Sequence, residues 1–236
     1  MKLITLLTTL AVTAFPILAA ADHTPELPTI RVTGEAIVRE KPDQAEIEVG
    51  VTTQAKRAPD ATAENAKKVD AVLAAVKKVL GDKGEIQTAG YNLSPNQEWP
   101  KEGGSPTIVG YTASNVVRAR TTELDKVGPV IDDALEAGAN QVQGLNFSLR
   151  DEAQARDRAL ALAAKRAKAK AEALADALGV KLGAVRSADE AATAPPPMPY
   201  GRVAMAAMKA EGAPTQIEAG SLDVTATVTL AIEIAK

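Results

Sequence analysis

Apolar and polar side chains alternate in three stretches of the chain, and this alternation predicts strands. Apolar residues occupy every second position from Ile30 to Val38 and again from Ala45 to Val51. The longest run extends from Leu222 to Ile234 without a gap, and it is the strongest strand signal in the chain. A spacing of two places such side chains on one face of a strand.

The first two predicted strands are separated by a turn around Pro42 and Asp43. We therefore expect them to form an antiparallel hairpin. Gly34 interrupts the first run and predicts a β-bulge there.

Steps of three and four between apolar residues predict two long helices. The first runs from Pro59 to Leu80, and Gly81 follows it. The second runs from Asp151 to Leu178, and its alanine-rich stripe suits close packing on a sheet. Its buried stripe is predicted to comprise Leu160, Ala164, Ala167, Ala171, Leu174 and Leu178.

The centre of the chain predicts shorter elements. Strand-like composition covers Ile86–Leu93 and Ile108–Arg120, and a short helix is expected from Pro129 to Ala137. Alternation from Leu145 to Leu149 and the composition of Val185–Glu190 predict two more strands.

Two stretches rich in proline predict long loops. Residues 94–106 contain Trp99 among Pro and Gly, and residues 191–219 lack any apolar period. We interpret 191–219 as a mobile loop.

This order of elements predicts an α+β fold with two two-layer α/β sandwich subdomains and mixed, mainly antiparallel sheets. Residues 22–84 together with 151–236 are expected to form a discontinuous first subdomain that includes the mobile loop 191–219. Residues 85–150 are expected to form the second.

Residues 1–21 have the arrangement of a secretory signal peptide. A positive Met1-Lys2 start leads into an uncharged apolar run, and Ala19-Ala20-Ala21 provides a cleavage pattern of small residues. The apolar run is short for a membrane span. We therefore expect a protein that works outside the cytoplasm, most simply in a bacterial periplasm.

Composition excludes several kinds of chemistry. The chain has no cysteine, so disulfides, thiolate nucleophiles and iron–sulfur clusters are excluded. A formal net charge of −3 gives no general attraction for nucleic acid. Aromatic residues make up 3% of the chain, so the core must consist mostly of aliphatic side chains.

Candidate catalytic residues are few. His23, the single histidine, lies beside the cleavage site and is interpreted as a solvated tail residue. Neighbouring acids recur as Asp132-Asp133, Asp151-Glu152 and Asp189-Glu190, where solvated faces and helix ends explain them without catalysis. The common phosphate-loop, dinucleotide, zinc-protease and serine-hydrolase motifs are missing. We expect no catalytic residue, no cofactor-binding residue and no metal ligand.

Two further clusters each allow a specific binding interpretation and a simpler structural one. The basic run 165–170 could contact nucleic acid, but without aromatic neighbours it is better explained as a solvated or salt-bridging helix face. Met198, Met205 and Met208 could bind Cu(I) through their thioethers. Their irregular spacing favours instead a loop that contacts a partner or a lipid surface.

Several short motifs, taken in order, resemble the SIMPL-domain family of YggE-like proteins, which includes periplasmic and outer-membrane-associated immunogenic proteins. The motifs are Val32-Thr33-Gly34, Lys41-Pro42-Asp43-Gln44-Ala45, Gly110-Tyr111-Thr112-Ala113, Gly138-Ala139-Asn140, Val142-Gln143-Gly144, and Lys170-Ala171-Glu172-Ala173-Leu174-Ala175 before Leu178-Gly179-Val180. Ala36 departs from the glycine that the family often carries there. The resemblance implies a two-part α+β fold, secretion, homo-oligomers and a link to envelope stress. It implies no catalytic residue.

The leading hypothesis for function is a non-enzymatic, self-assembling structural or interaction protein of the bacterial envelope. It is expected to form a homo-oligomer, to contact an envelope protein or a membrane surface, and not to bind nucleic acid. The alternative is a periplasmic binding module for a small ligand, a metal or a partner protein through loops 94–106 and 191–219. An enzyme that uses carboxylates alone is a third hypothesis.

Overall fold

The computed structural model describes residues 28–101, 103–191, 199–200 and 215–235. The predicted signal peptide, His23 and the three methionines of the 191–219 segment lie outside these residues. The strands are β1 (Thr29–Glu40), β2 (Gln44–Ala55), β3 (Glu85–Glu98), β4 (Thr107–Thr121), β5 (Gln141–Ser148), β6 (Lys181–Glu190), β7 (Pro199–Tyr200) and β8 (Ser221–Ala235). The helices are α1 (Ala58–Leu80), α2 (Val127–Glu136) and α3 (Glu152–Leu178).

The strands form two sheets, and every described pairing is antiparallel. The first sheet has the order β1-β8-β6, and β7 also pairs with β8. The second has the order β3-β4-β2-β5. Helix α3 packs on the first sheet, whereas α1 and α2 pack with the second. The predicted α+β fold with two sandwich subdomains is confirmed.

The predicted hairpin between the first two strands is wrong. β1 pairs with β8, and β2 pairs with β4 and β5. Pro42 has no backbone N–H, so it cannot donate a hydrogen bond within a hairpin turn. Asp43, the next residue, makes its hydrogen bonds with the chain at the end of β5. The Asp43 backbone N–H donates to Ser148 O, and an Asp43 carboxylate oxygen accepts from the Arg150 N–H at 2.8 Å. The turn is therefore fastened to the end of β5 and carries the chain from one sheet to the other.

The expected boundary at residue 84 is therefore not where the sheets divide. β2 and α1, which fall within 44–84, belong with the second sheet and its core. The first sheet consists of β1, β6, β7 and β8, and α3 packs on it. The reason is that β2 contributes alternate buried residues to the core under α1 and α2, where β1 contributes none.

The loop expected at 94–106 is shorter than predicted. β3 continues to Glu98 despite Pro95, and β4 begins at Thr107. A proline is tolerated here because β3 is an edge strand whose outer side needs no backbone donor. The 191–219 segment also differs from the prediction, since Pro199–Tyr200 pairs with β8.

Helix α3 packs on the first sheet through a row of alanines, with Leu160 partly buried beside them. Its fully buried residues recur at every fourth position and comprise Ala155, Ala159, Ala163, Ala167, Ala171 and Ala175. The predicted stripe was wrong in part, because Leu174 and Leu178 are exposed. A row with a spacing of four is inclined to the helix axis, so the contact follows the alanines and leaves these leucines at its margin.

Gly34 shows how close the helix lies to the strand. A Cβ atom at Gly34 would stand 2.1 Å from Ala163 O and 2.4 Å from Ala167 N. The pairing of β1 with β8 passes through Gly34 in continuous register, so the predicted bulge is not formed. Glycine is needed here because the helix backbone occupies the space of a side chain.

The second core is built from larger aliphatic side chains. Ile47, Val49 and Val51 of β2 are fully buried beneath Val72 and Val76 of α1. Phe147 of β5 is buried in the same core. This core carries more apolar volume than the alanine contact of the first sheet.

We predict that Gly34→Ala destabilises the protein by about 1–3 kcal/mol, because the added methyl group meets helix backbone that cannot move aside. Urea unfolding followed by circular dichroism measures the change. Gly90→Ala is the matched control, since its Cβ would meet nothing nearer than Val116 Cγ2 at 3.9 Å. Equal stability of the two variants would contradict the close approach.

Candidate functional site

The Gly138-Ala139-Asn140 motif joins α2 to β5 and fastens the end of β2. Gly138 has a φ of +119°, a conformation that favours glycine. The Asn140 Oδ1 atom accepts from the Thr52 N–H at 2.9 Å, and Asn140 Nδ2 donates to Thr52 O at 2.8 Å. The Asn140 side chain therefore hydrogen-bonds to β2 in the way that the backbone of a neighbouring strand residue would. Sequence analysis identified the turn but missed this role of the amide.

The open face of the second sheet carries a ladder of ion pairs. Arg118 Nε donates to Glu48 at 2.8 Å, and Arg120 Nε donates to Glu46 at 2.7 Å. The hydrogen bond that Arg118 donates to Glu48, followed by the charge of Glu46, raises the pKa of Arg118. These side chains are half-exposed and mutually paired, which is the arrangement of a solvated sheet face.

A polar cleft of about 260 Å³ lies at one end of this ladder. Lys83, Arg120 and Arg150 contribute cations to its lining, and Glu85 contributes an anion. Lys83 and Arg120 already bind Glu123 and Glu46. An anionic ligand would have to compete with these carboxylates, so the cleft has little free positive charge.

Glu123 is fixed at this corner between two lysines. Its carboxylate oxygens lie 2.7 Å from Lys126 Nζ and 3.1 Å from Lys83 Nζ. These two partners, Lys126 first, lower the pKa of Glu123. The contact joins the end of α1 to the start of α2.

The basic run 165–170 closes the open edge of the first sheet. Lys170 Nζ donates to Thr33 O at 2.6 Å, and Arg166 donates to Glu35 O at 2.8 Å. Lys168 lies 3.8 Å from Glu172 on the helix surface. Beside these bonds, Val32 and Leu174 line a shallow apolar groove between β1 and α3. The lysine and the arginine occupy carbonyl groups that another strand would need.

The acidic pairs are held by structural contacts. Asp132 accepts from the N–H and the hydroxyl of Thr215, at 3.0 and 2.6 Å. Asp151 caps α3 by accepting from the Ala153 N–H at 3.0 Å. Glu190 lies 3.7 Å from Arg156. Within the described ranges, no cluster of three or more His, Cys, Asp or Glu side chains is placed to hold a metal ion.

Exposed apolar side chains are concentrated in the outer half of the β3–β4 hairpin. We call residues 91–110 the hairpin arm; β2 ends opposite Tyr111, so the tip of the arm extends past it. Among the large apolar side chains of the arm, Tyr91, Trp99, Ile108 and Val109 are more than half exposed. Large apolar residues grouped on a surface are typical of contact sites. Trp99, singled out from the sequence, lies at the tip.

A family model described as SIMPL, protein of unknown function (DUF541), matches residues 30–232. The 26 kDa periplasmic immunogenic protein of Brucella melitensis is 37% identical over 180 residues, which cover 73% of this chain and 70% of that protein. The uncharacterized protein YggE of Escherichia coli (strain K12) is 27% identical over 200 residues, covering 85% of this chain and 79% of that protein.

Among solved structures, the crystal structure of AtUAH in complex with (S)-hydroxyglycine aligns with 58% of this chain and 34% of its own. The TM-score is 0.28 and the identity is 13%, a likeness too weak to support any inference. In the part of the chain that the structure describes, no helix is both long and apolar enough to cross a membrane.

We predict that Asn140→Ala destabilises the protein by about 1–2 kcal/mol, because both Thr52 backbone groups lose their partner. Hydrogen exchange of the Thr52 amide should accelerate at the same time. Gln87→Ala is the control, since Gln87 is an exposed amide on β3. Unchanged exchange at Thr52 would show that the amide does not hold β2.

We predict a pH-dependent effect of Glu123→Gln. A carboxyl group whose pKa is lowered on folding stabilises the folded state above its ordinary pKa, and this contribution is lost as the pH falls through the folded-state pKa. The variant should therefore unfold at a lower urea concentration than the parent at neutral pH, and the difference should vanish in acid. Glu136→Gln, an exposed carboxyl on α2, is the control. A difference that persists below the folded-state pKa would contradict the ion pairs.

Proposed function

This chain belongs to the SIMPL family, and on that premise we propose that it is a secreted, non-enzymatic protein of the bacterial envelope that assembles with copies of itself. In this proposal it works as a structural or interaction protein, and a link to envelope or oxidative stress is included on the basis of the family resemblance. Its working parts are surfaces that contact other chains.

The hairpin arm is the observation that carries the proposal. Of the six aromatic residues in the whole chain, Tyr91 and Trp99 lie exposed in the arm, while Phe147 is buried. A protein with so few aromatic side chains would gain stability by burying them. Trp99 lies on the part of the hairpin that projects past β2, and Tyr91 is exposed nearer its base, opposite Asn115 of β4. Exposed aromatic side chains are typical of contact residues, in which interfaces are enriched.

The non-enzymatic part of the proposal rests on how the polar groups are used. Asp132, Asp151 and Glu190 hold the fold together, and Glu46, Glu48 and Glu123 are paired with cations. General acid–base catalysis uses carboxyl groups whose environments push their pKa values apart around a cleft. The described carboxyl groups do not form such a pair in the polar cleft, where Glu85 is the single acid.

The secreted location is supported by two independent observations. Residues 1–21 have the pattern of a cleavable signal, and the Brucella melitensis relative is named as periplasmic. Outer-membrane association is proposed from the family resemblance alone, with the exposed Trp99 and Tyr91 as the side chains that would reach a membrane surface.

The alternative function is a binding module that captures a different molecule. It is favoured by the projection of Trp99 from the hairpin tip, which would then contact the ligand or partner directly. The loop proposed at residues 94–106 is reduced to residues 99–106, because residues 94–98 belong to β3. Most of the second proposed loop, 191–219, lies outside the described residues.

We predict that purified residues 22–236 form a discrete assembly, measured by size exclusion with light scattering. The variant Trp99→Ser with Ile108→Ser should have a lower mass, because its two substitutions remove apolar contact from the arm. The control variant Leu178→Ser with Val185→Ser changes side chains of matched exposure, 65% and 58% against 69% and 55%, on other elements.

The control variant should keep the mass of the parent. A monomeric parent at high concentration would contradict the assembly and favour the binding module. An assembly that both variants leave intact would show that the arm is not part of the contact.

A further inference from the structure

Apart from the two-residue β7, four strands of the described chain have a free side: β1, β6, β3 and β5. A free side presents unpaired backbone groups that can pair with another strand. Natural edge strands prevent this with charges, prolines, bulges or covering side chains. These four edges differ sharply in how well they are protected.

Three of the edges carry such protection. β1 has Thr33 O and Glu35 O occupied by Lys170 and Arg166. β3 contains Pro95 between Glu85 and Glu98, and it is bulged twice. β6 carries charges at both ends as well as Arg186, and its register is interrupted twice.

β5 lacks almost all of these devices. Residues 137–149 contain no charged residue and no proline. A single bulge, at Gln143, interrupts the pairing with β2, so residues 144–148 form a regular stretch. This stretch contains one neutral amide, one hydroxyl, one glycine and two apolar side chains, which can meet an identical strand without repulsion between like charges.

We infer that β5 pairs in antiparallel orientation with β5 of a second copy of this chain, which joins two four-stranded sheets into one of eight strands. The inference rests on the proposed self-assembly and names the contact. A two-fold axis at Asn146 keeps the pairing within the regular stretch. Asn146 then faces its own copy, Gly144 faces Ser148, and Leu145 faces Phe147.

This register agrees with the chemistry of each face of the sheet. Leu145 and Phe147 lie on the face that carries the second core, opposite Ile47 and Ala45 of β2, so the new contact between copies is apolar there. Asn146 lies opposite Glu46 on the polar face. Two amides facing each other can each donate and accept, which suits a symmetric pair.

An exposed apolar side chain of β5 itself adds area to the contact. Val142 is 47% exposed and lies one residue before the bulge at Gln143. A pairing of five to eight residues is small on its own compared with stable interfaces. A second copy brings a second Val142 to the seam, and its β5 presents the same uncharged side chains in the order that the two-fold register requires.

The test uses Asn146→Lys, which places two ammonium groups opposite each other at the axis. The concentration at half-dissociation, measured by light scattering on a dilution series, should rise by about tenfold or more, since like charges that face each other in an interface repel. Gln87→Lys, at an exposed amide of the protected edge strand β3 outside the hairpin arm, is the matched control and should leave it unchanged. Asn146→Ser, which adds no charge, should also leave it unchanged.

Cross-linking gives a second readout that does not depend on charge. The chain contains no cysteine, so Asn146→Cys introduces a single thiol. Facing residues of an antiparallel pair lie within the Cα separation that a disulfide needs. Mild oxidation should link Asn146→Cys into a covalent dimer, while Gln87→Cys should stay monomeric on a denaturing gel.

The outcomes separate this inference from the proposed function. If Asn146→Lys leaves the concentration at half-dissociation unchanged and Asn146→Cys forms no disulfide, the β5 contact is wrong. The proposed self-assembly is then not affected. A parent chain that is monomeric at every concentration would overturn both. A monomeric parent whose 141–148 amides become protected from hydrogen exchange only in envelope extract would show that a strand of another protein occupies the edge.

Discussion

The contact between α3 and β1 limits what the rest of the molecule can do. The helix lies on the strand through alanines, and its backbone at Ala163 and Ala167 occupies the place where a side chain of Gly34 would stand. A contact built from methyl groups contributes little apolar area per residue, so it depends on close fit. That closeness also brings Lys170 and Arg166 within reach of β1 carbonyl groups, which closes one edge of the first sheet.

The chain crosses between its two sheets at points that are tied by specific hydrogen bonds. Asp43 holds the first crossing against the end of β5, and Thr215 holds the last crossing against Asp132 of α2. Ile217 and Ala219 then pack on the second core before β8 enters the first sheet. Of the motifs that give the family resemblance, the one that contains Pro42 and Asp43 holds a crossing, and the hairpin arm and the β5 edge remain open surfaces.

Sequence patterns were sufficient to locate an element where the burial of one apolar face determines it. The apolar periods located α1, α3 and β8 to within a residue or two, because each buries one stripe or one face. They failed where pairing partners had to be chosen, since β1 and β2 have the same alternation and nothing local directs them to different sheets. Gly34 was interpreted as a bulge because a close helix cannot be detected from one strand. Leu174 and Leu178 were assigned to the core on hydrophobicity, although the fully buried row of α3 consists of alanine.

The account holds that this protein acts through association of surfaces that its fold leaves unpaired. Hydrogen–deuterium exchange of residues 22–236, recorded over a range of protein concentrations, tests this most directly. The account predicts that protection of residues 141–148 and of the hairpin arm rises with concentration, while protection of α3 and β1 stays constant. Exchange that is independent of concentration throughout the chain would contradict it.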